Sequence, residues 1–367
     1  MHYAPVKQRR LLVIHPTIAP YRIDYFNYLA KAYDTRICLQ YWNLKDQTFD
    51  YQKIYDRFAF EPIYLPEGSI WSLCKAVRAQ IKDFKPDIVL TCEYGAVTLV
   101  SLWHRILGKK KYKLVVMTDD SYDMVSEDED FTARHRKARQ LIAPWVDNVV
   151  VVSPQVEQWY QDRYKKGVWM PIIVDEKLAV PNYERLLPLS REYVIRYGLK
   201  GKKILLSVSR LVDLKNLHRV IDAFERVETE ATLVIVGDGP ERTALEEHAK
   251  KVEKEIIFTG RFDGDELYAW YNIANVFILA SYKEPFGAVT NEALLAGCRV
   301  VISKKAGSSC LVTDDNGEQV DPMDEERIAA AIDRQMKMAD MPNLNDARKN
   351  LMGVLFEERL MNLLRSL

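Results

Sequence analysis

The sequence has little of what marks disulfide-linked, zinc-binding or membrane-spanning proteins. Its 367 residues include only five cysteines, which are widely spaced and form no Cys-x-x-Cys pair. We therefore expect neither a disulfide framework nor a zinc site. No segment approaches the roughly 20 apolar residues that a membrane-spanning helix needs. The N-terminal apolar run, residues 11–14, is too short for the core of a signal peptide. These absences predict a cytoplasmic protein.

An excess of either charge is also lacking. Lysine plus arginine and aspartate plus glutamate each number 52, so the net charge is zero. Because nucleic-acid-binding domains usually carry a basic excess, the balance argues against a dedicated nucleic-acid binder. A hydrophobic content of 48% is ordinary for a globular protein, and 367 residues correspond to about two domains.

Short β-branched runs alternate along the chain with longer stretches of helical period. Such runs indicate parallel strands that are buried on both faces. Two series of them predict an α/β protein with two doubly wound, Rossmann-like domains. The runs lie at residues 11–14, 36–39, 62–65, 87–90, 114–117 and 148–152, and at 204–208, 232–236, 255–258, 276–279 and 299–302.

Three segments follow from this pattern. We expect an N-terminal Rossmann-like domain over residues 1–175 and a C-terminal one over residues 176–345. Residues 346–367 are expected to form a C-terminal helix that packs back on the first domain. Doubly wound domains bind ligands at the carboxyl ends of their strands, so candidate site residues are expected in the loops that follow strands.

In the second half, two basic residues follow the strand predicted at 204–208. Arg210 and Lys215 can converge on a diphosphate, because arginine offers a planar fork and lysine a point charge. The alternative is that both are solvated surface charges. The next predicted strand ends in Gly237-Asp238-Gly239-Pro240. Since Arg242 stands where the dinucleotide fingerprint G-x-G-x-x-G needs glycine, that fingerprint is absent and a tight turn explains the glycines.

The order of the motifs in the second half resembles the donor domain of family-4 retaining glycosyltransferases. These proteins have the GT-B fold, in which two Rossmann-like domains face a central cleft. The resemblance covers about residues 200–335, and its most specific element is the pair of glutamates in 284–297, Glu-Pro-Phe-Gly-Ala-Val-Thr-Asn-Glu-Ala-Leu-Leu-Ala-Gly. Ser209 stands where the family usually has glycine, and Ala306-Gly307 where it often has two glycines.

The resemblance implies a role for each matching residue. Arg210 and Lys215 would bind the donor diphosphate, Glu284 would support the reactive centre of the transferred sugar, and Glu292 would bind the ribose. The expected reaction moves a hexosyl unit from a nucleotide-diphosphate sugar, UDP-linked first and GDP-mannose second, to a glycan or lipid-linked acceptor in cell-envelope polysaccharide synthesis. No cofactor is expected. The implied donor set is Arg210, Lys215, Gly237, Gly260, Arg261, Phe262, Glu284, Phe286, Gly287, Ala288, Val289 and Glu292.

The first half resembles a subset of bacterial cell-envelope glycosyltransferases whose first loop reads Pro-Tyr-Arg, here ending at Arg22. The acceptor-side candidates are Thr17, Arg22, Glu93 and Asp119. Arg22 is equally well explained as a helix-start residue that pairs with an acid. Family members often carry histidine in the loop where this sequence has Asp119 and Asp120, so no histidine role can be transferred.

Two further patterns have alternative explanations. The acidic strings 128–130 and 263–265 match the Asp-x-Asp of the other glycosyltransferase fold, GT-A, but both sit in charged, loop-like sequence rather than after a suitable strand. We therefore expect no metal requirement. The basic amphipathic helix predicted at 69–85, with basic clusters at 109–113 and 134–139, suits an anionic membrane surface at the inner face of the membrane. A core-packed helix with a solvated basic face explains the same pattern.

Three rival functions remain open. A two-domain dehydrogenase would need the glycine fingerprint that is missing here. A non-catalytic sugar-binding protein would bind the donor without turnover. A nucleotide-sugar epimerase of the same fold would convert the donor with no acceptor present.

Overall fold

The computed structural model describes residues 9–43, 51–108, 111–126 and 133–367. It divides the chain into two compact units. Unit 1 comprises the described residues up to Val174 together with Phe356–Leu367, and unit 2 comprises Asp175–Leu355. The acidic string 128–130 and the first two residues of the basic cluster 109–113 lie outside the described residues.

Unit 1 is built on a parallel sheet of seven strands in the order β3-β2-β1-β4-β5-β6-β7. The strands are β1 Arg10–His15, β2 Asp34–Leu39, β3 Ile63–Tyr64, β4 Ile88–Cys92, β5 Lys113–Met117, β6 Asn148–Val151 and β7 Val168–Trp169. The helices of its main segment are α1 Ile23–Ala32, α2 Tyr51–Tyr55, α3 Ile70–Phe84, α4 Ala96–Leu107, α5 Tyr122–Ser126, α6 Ala133–Ile142 and α7 Pro154–Tyr164. The order reverses between β1 and β4.

Unit 2 has six parallel strands in the order β10-β9-β8-β11-β12-β13. Its helices are α8 Glu176–Arg185, α9 Leu187–Arg196, α10 Leu217–Glu225, α11 Arg242–Ala249, α12 Asp265–Ile273, α13 Val289–Leu295 and α14 Glu325–Met338. Its strands are β8 Lys203–Val208, β9 Ala231–Val236, β10 Ile256–Gly260, β11 Val276–Leu279, β12 Arg299–Ser303 and β13 Gly317–Val320. The order reverses between β8 and β11.

The strands form where the sequence has continuous apolar runs. All six residues of β9 and all four of β11 are buried, as expected for parallel strands with helices on both faces. Strands β7 and β13 were not predicted. The first is two residues long, and the second carries the polar pair Glu318 and Gln319 at the edge of its sheet.

The C-terminal segment differs from the prediction of a helix over residues 346–367. The helix α15, Phe356–Ser366, belongs to unit 1, where the Phe356 ring lies 5.4 Å from that of Tyr28. Residues 346–355 are not helical. The Asn350 side chain accepts a hydrogen bond from the Met352 N–H at 2.7 Å, a local bond that competes with helix formation. Within the described residues, no helix is long and apolar enough to cross a membrane.

Candidate functional site

The loops after β8 and β11 lie at the strand-order reversal of unit 2, where doubly wound domains bind ligands. Two hydrogen bonds hold these loops together. The Tyr282 N–H donates to the Leu214 carbonyl at 3.0 Å, and the Asn216 side-chain amide donates to the Ala280 carbonyl at 3.0 Å. The two loops therefore present one continuous surface at the carboxyl edge of the sheet.

An ion pair between Lys215 and Glu284 joins the same two loops. The Lys215 ammonium donates to Glu284 Oε2, and the two side chains are 17% and 13% exposed. Lys215 ends a short 3-10 turn, and Asn216 adopts a left-handed conformation with φ of 58° before α10 begins. The structure thus brings into contact two predicted site residues that are 69 positions apart.

Arg210 lies in the loop after β8, five positions before Lys215, and its side chain is exposed. Within the described ranges, no carboxylate pairs with its guanidinium. An exposed guanidinium next to a shielded lysine gives this edge of the sheet a positive charge that is available to an anion.

The loop that carries Glu284 is fixed by close backbone packing. Gly287 has φ of +88°, and a Cβ atom there would lie 2.7 Å from Leu279 Cδ2 and 3.2 Å from Glu284 Cγ. Glycine adopts this left-handed conformation without strain, whereas a larger residue would crowd Leu279 and Glu284. The Gly307 N–H donates to the Glu284 carbonyl at 3.0 Å, and the Ser308 N–H to the carbonyl of the buried Phe286 at 2.7 Å.

Glu292, the predicted ribose ligand, lies in α13 beyond Ala288 and Val289. Its Oε2 accepts a hydrogen bond from the Tyr271 hydroxyl at 2.8 Å. Burial raises the pKa of Glu292 to about 7, against the opposing effect of that hydrogen bond. The carboxyl group therefore changes charge near neutral pH. No motif in the sequence pointed to Tyr271.

Gly237, after β9, has a packing role. A Cβ atom at Gly237 would lie 1.8 Å from the Ser209 carbonyl oxygen, so the loop after β9 can approach the loop after β8 only with glycine here. The Gly237 N–H donates to the Gly260 carbonyl at 2.9 Å. These contacts place Gly237 against the Arg210 loop and Gly260 against Gly237.

The side chains that follow β10 all have partners within unit 2. Arg261 forms an ion pair with Asp263 at 3.1 Å, in which both side chains are about half exposed. The Phe262 ring packs 5.7 Å from that of Tyr193. Asp265 pairs with Arg185 at 2.8 Å. The string 263–265 is separated from the end of strand β10 by two residues and ends at the first residue of α12.

In unit 1, Arg22 is buried immediately before α1 and its guanidinium bonds the Asp119 carboxylate. This is the pairing with an acid that the alternative explanation of Arg22 predicts. The buried Thr17 donates from Oγ1 to the Trp42 carbonyl at 3.4 Å. Burial, followed by the charge of Arg22, lowers the pKa of His15 to about 4, so this imidazole is neutral at pH 7.

Glu93 follows β4 with φ of 59°, a left-handed conformation that is uncommon for glutamate. Its Oε1 accepts from the Asp119 N–H at 3.1 Å, and its Oε2 from the Thr118 hydroxyl at 3.2 Å. Burial, followed by the charges of Asp120 and Asp119, raises the pKa of Glu93 to about 8. Two of the acceptor-side candidates, Glu93 and Asp119, therefore lie in direct contact.

A buried network lies beside Glu93. Asp120 contacts His135 Nε2 at 3.0 Å and Arg139 at 3.5 Å, and it accepts from the Tyr160 hydroxyl at 3.3 Å. The Asp120 and Arg139 side chains are each 1% exposed. The three partners come from α6 and α7 and were missed in the sequence, where Arg139 is only one member of a basic cluster.

Three side chains of this network could together hold a cation. The ligand atoms of Glu93, Asp120 and His135 all lie within 4.8 Å of one another, and carboxylate and imidazole are common metal ligands. Because the Arg139 guanidinium also contacts Asp120, it opposes a second positive charge there. The arrangement fits a hydrogen-bonded charge network better than a metal site.

Comparison with known proteins relates part of the chain to a known family. Residues 192–350 match the family model of Glycosyl transferases group 1. A glycosyltransferase of Methanocaldococcus jannaschii, MJ1607, is 35% identical over 36% of this chain and 35% of its own length. The alpha-monoglucosyldiacylglycerol synthase of Streptococcus pneumoniae is 32% identical over 46% of this chain and 40% of its own. The chain thus spans about two fifths or less of the length of these relatives.

A solved structure matches over both units. Alr3699/HepE of Anabaena in complex with UDP has a TM-score of 0.73 at 18% identity, covering 98% of this chain and all of that one. At this identity the likeness shows the fold, and it confirms the expectation of two Rossmann-like domains of the GT-B class. The family model, which covers less than half of the chain, shows that residues 192–350 are similar to glycosyl transferases.

Proposed function

We propose that the chain is a retaining glycosyltransferase that moves a hexosyl unit from a nucleotide-diphosphate sugar to a glycan or lipid-linked acceptor in cell-envelope polysaccharide synthesis. The observation that carries this proposal is the Lys215–Glu284 ion pair at the strand-order reversal of unit 2, with Arg210 exposed in the same loop. A UDP-sugar is the first choice of donor, in line with the UDP held by HepE. GDP-mannose is the second, on the sequence resemblance alone.

The donor diphosphate would bind to Arg210 and Lys215. Arginine offers two parallel N–H donors to phosphate oxygens, and lysine adds a compact charge. Lys215 is neutralised by Glu284 in the structure. A diphosphate that attracts the Lys215 ammonium would free the Glu284 carboxylate to face the transferred sugar. Binding of the diphosphate and binding of the sugar would therefore be coupled.

The reaction would exchange one bond at the anomeric carbon for another. The bond from this carbon to the leaving phosphate oxygen breaks, and the acceptor oxygen bonds to it on the same face. The acceptor proton passes to the leaving phosphate. Arg210 and Lys215 stabilise the charge that grows on the diphosphate, while Glu284 favours the positive sugar ring. Because both cations come from the protein, we propose that transfer needs no metal ion.

The acceptor would be bound by unit 1, whose candidates are Thr17, Arg22, Glu93 and Asp119. Glu93 and Asp119 offer partly exposed carboxyl groups that can form hydrogen bonds with sugar hydroxyls. A lipid-linked acceptor would place the protein at the inner face of the membrane. The name of the Streptococcus pneumoniae relative, alpha-monoglucosyldiacylglycerol synthase, includes a lipid and so supports a lipid-linked acceptor.

A thermal-shift screen tests the donor site. A nucleotide that binds the native state raises the melting temperature by mass action. We expect UDP or a UDP-sugar to do so in the unmodified protein and not in Lys215→Ala, with Lys251→Ala as an exposed-lysine control in the same unit. A response to GDP alone would move the proposal to GDP-mannose. No response to either nucleotide would overturn it.

Turnover assays then separate the rival functions. We expect sugar transfer or slow donor hydrolysis, unchanged by a chelator. Conversion of the donor sugar without an acceptor would show an epimerase instead. Donor binding without any turnover would show a sugar-binding protein.

A further inference from the structure

Two neighbouring helices of unit 1 expose apolar and basic side chains together. We infer that this surface, the α3–α4 face, binds an anionic lipid bilayer. The inference deepens the proposed membrane location by naming the residues that contact the lipid. The α3–α4 face consists of Trp71, Lys75, Arg78, Lys82, Leu99, Trp103, Ile106 and Leu107.

Helix α4 contributes an exposed apolar stripe. Leu99, Trp103 and Ile106 follow the i, i+4, i+7 spacing of one helix face and are 42%, 51% and 48% exposed. Leu107, at the end of the helix, is 77% exposed. Single exposed apolar residues are common, but a contiguous set on one helix face marks an interaction surface.

Helix α3 contributes a basic stripe. Trp71, Lys75, Arg78 and Lys82 have the spacing of one helix face, and all are exposed, with Trp71 at 82%. In the described part of the chain, no carboxylate pairs with these three cations. The neighbouring Asp83 is turned to Arg36, which it bonds at 2.7 Å.

The apolar face that the sequence predicted for α3 is used in the core. Val77 and Ile81 are buried in the unit 1 cluster, and Leu73 and Phe84 pack against it. Apart from Ile70 in the first turn, which is 58% exposed, this face is closed to a membrane, as the alternative of a core-packed helix predicts. Most of the lipid-facing apolar surface therefore has to come from α4 and Trp71.

The two stripes lie side by side. Helices α3 and α4 pack against each other. After burial, the charges of Lys82 and Arg78 lower the pKa of His104, so both cations lie close to this α4 residue, the neighbour of Trp103. Cations therefore lie beside the helix that carries the apolar stripe.

This combination favours an anionic bilayer over other occupants. Phospholipid headgroups supply negative charge to the basic stripe, while the acyl boundary accepts leucine and isoleucine, and tryptophan prefers the membrane interface. In a two-fold dimer the same patch meets itself, which would bring the three unpaired cations towards their own copies. Charge complementarity thus selects the lipid.

Vesicle sedimentation with the full chain, without nucleotide sugar, tests the inference. We expect binding to phosphatidylcholine vesicles that contain about 30% phosphatidylglycerol, and much weaker binding to phosphatidylcholine alone. Two multiple variants should each lower the partition coefficient at least ~10-fold. They are the triple variant Lys75→Glu/Arg78→Glu/Lys82→Glu and the double variant Trp103→Gln/Leu107→Gln. Two control variants in unit 2 should bind the vesicles like the unmodified protein. They are the triple variant Arg196→Glu/Lys200→Glu/Lys251→Glu and the single variant Ile195→Gln.

Three results would overturn the inference: no binding to the anionic vesicles at low salt, equal binding of both α3–α4 variants and the unmodified protein, or a dimer that both variants dissociate. All substituted residues are exposed, so unchanged melting temperatures are expected and show that the variants are folded. Because no donor is present, failure here would leave the transferase proposal intact, and failure of the donor screen would leave this inference intact.

Discussion

The carboxyl edges of the two sheets share a topology but differ in how their charges are paired. Strand order reverses between β1 and β4 in unit 1 and between β8 and β11 in unit 2. In unit 2 the loops at the reversal hold the exposed Arg210 and the pair Lys215–Glu284. In unit 1 the buried Asp120 already bonds Arg139 and other partners.

This difference shows that sheet topology determines the position of a ligand site but not the charge of its ligand. The reversal fixes where a ligand can approach each sheet. Whether an anion is attracted depends on cations that are not already neutralised by buried carboxylates. By this criterion the unit 2 edge suits a diphosphate, whereas the unit 1 edge suits hydroxyl groups that bond to carboxylates.

The largest expected effect is on catalysis through unit 2. Lys215→Ala should lower the transfer rate about 100- to 1000-fold, because it removes a cation that stabilises the leaving diphosphate. Glu284→Ala should have a similar effect, and the double variant should lose little more, since the two residues act together. Steady-state kinetics with a folded protein would measure this. Near-normal rates in both single variants would contradict the site assignment.

A stability effect should set unit 1 apart. Asp120→Asn leaves the buried Arg139 without its carboxylate partner, so we expect a loss of about 3 kcal/mol in the free energy of unfolding. Asp263→Asn breaks an exposed pair and should cost below about 1 kcal/mol. Urea denaturation compares the two. Equal losses would show that the Asp120 network is not a buried charge cluster.

Glu292 should link stability to pH in unit 2. Its pKa in the folded protein, about 7, lies above the ordinary value of 4.5, so its contribution to stability is complete below pH 4.5 and is lost as the pH rises through 7. We expect Glu292→Gln and the unmodified protein to have similar melting temperatures at pH 5. At pH 8 the variant should melt at the higher temperature, with a free energy of unfolding that is larger by up to about 2 kcal/mol.

The same substitution should weaken nucleotide binding by about tenfold, if ribose hydroxyls donate to this carboxylate. Glu326→Gln, an exposed carboxyl group in α14, is the control for both measurements. A Glu292 variant that melts lower at pH 8, or binds nucleotide unchanged, would contradict the corresponding half of the prediction.

The smallest effect is expected after β10. Arg261 is half exposed and already paired with Asp263, so Arg261→Ala should change nucleotide affinity less than about threefold. Arg210→Ala should lower it about tenfold, because an unpaired guanidinium can form two bonds to phosphate. Titration of both variants with UDP compares the contributions of the two loops to nucleotide affinity. Equal losses would extend the donor site to the loop after β10.

Much of unit 2 could be predicted from the sequence because its signals are local. Buried strands appear as apolar runs, and Arg210, Lys215 and Glu284 stand in loops that directly follow them. The contact between Lys215 and Glu284 could not be predicted from these runs, because it depends on β8 and β11 being neighbours in the sheet.

The features that the sequence did not predict arise where side-chain hydrogen bonds compete with helix formation, or where residues far apart in the sequence pack together. The helix predicted over 346–367 begins only at Phe356, since asparagine side chains bond the preceding backbone. His135 and Arg139 reach Asp120 from α6, and no spacing in the sequence relates these residues. The apolar stripe of α4 has the pattern of a core helix, so only the exposure of Trp103 and Leu107 distinguishes it.

Calorimetric titration of UDP into the unmodified protein and into Lys215→Ala tests the central claim most directly. The account predicts one site per chain, weakened at least about tenfold by Lys215→Ala and unchanged by Lys251→Ala. Equal affinity of the unmodified protein and Lys215→Ala for UDP would contradict it.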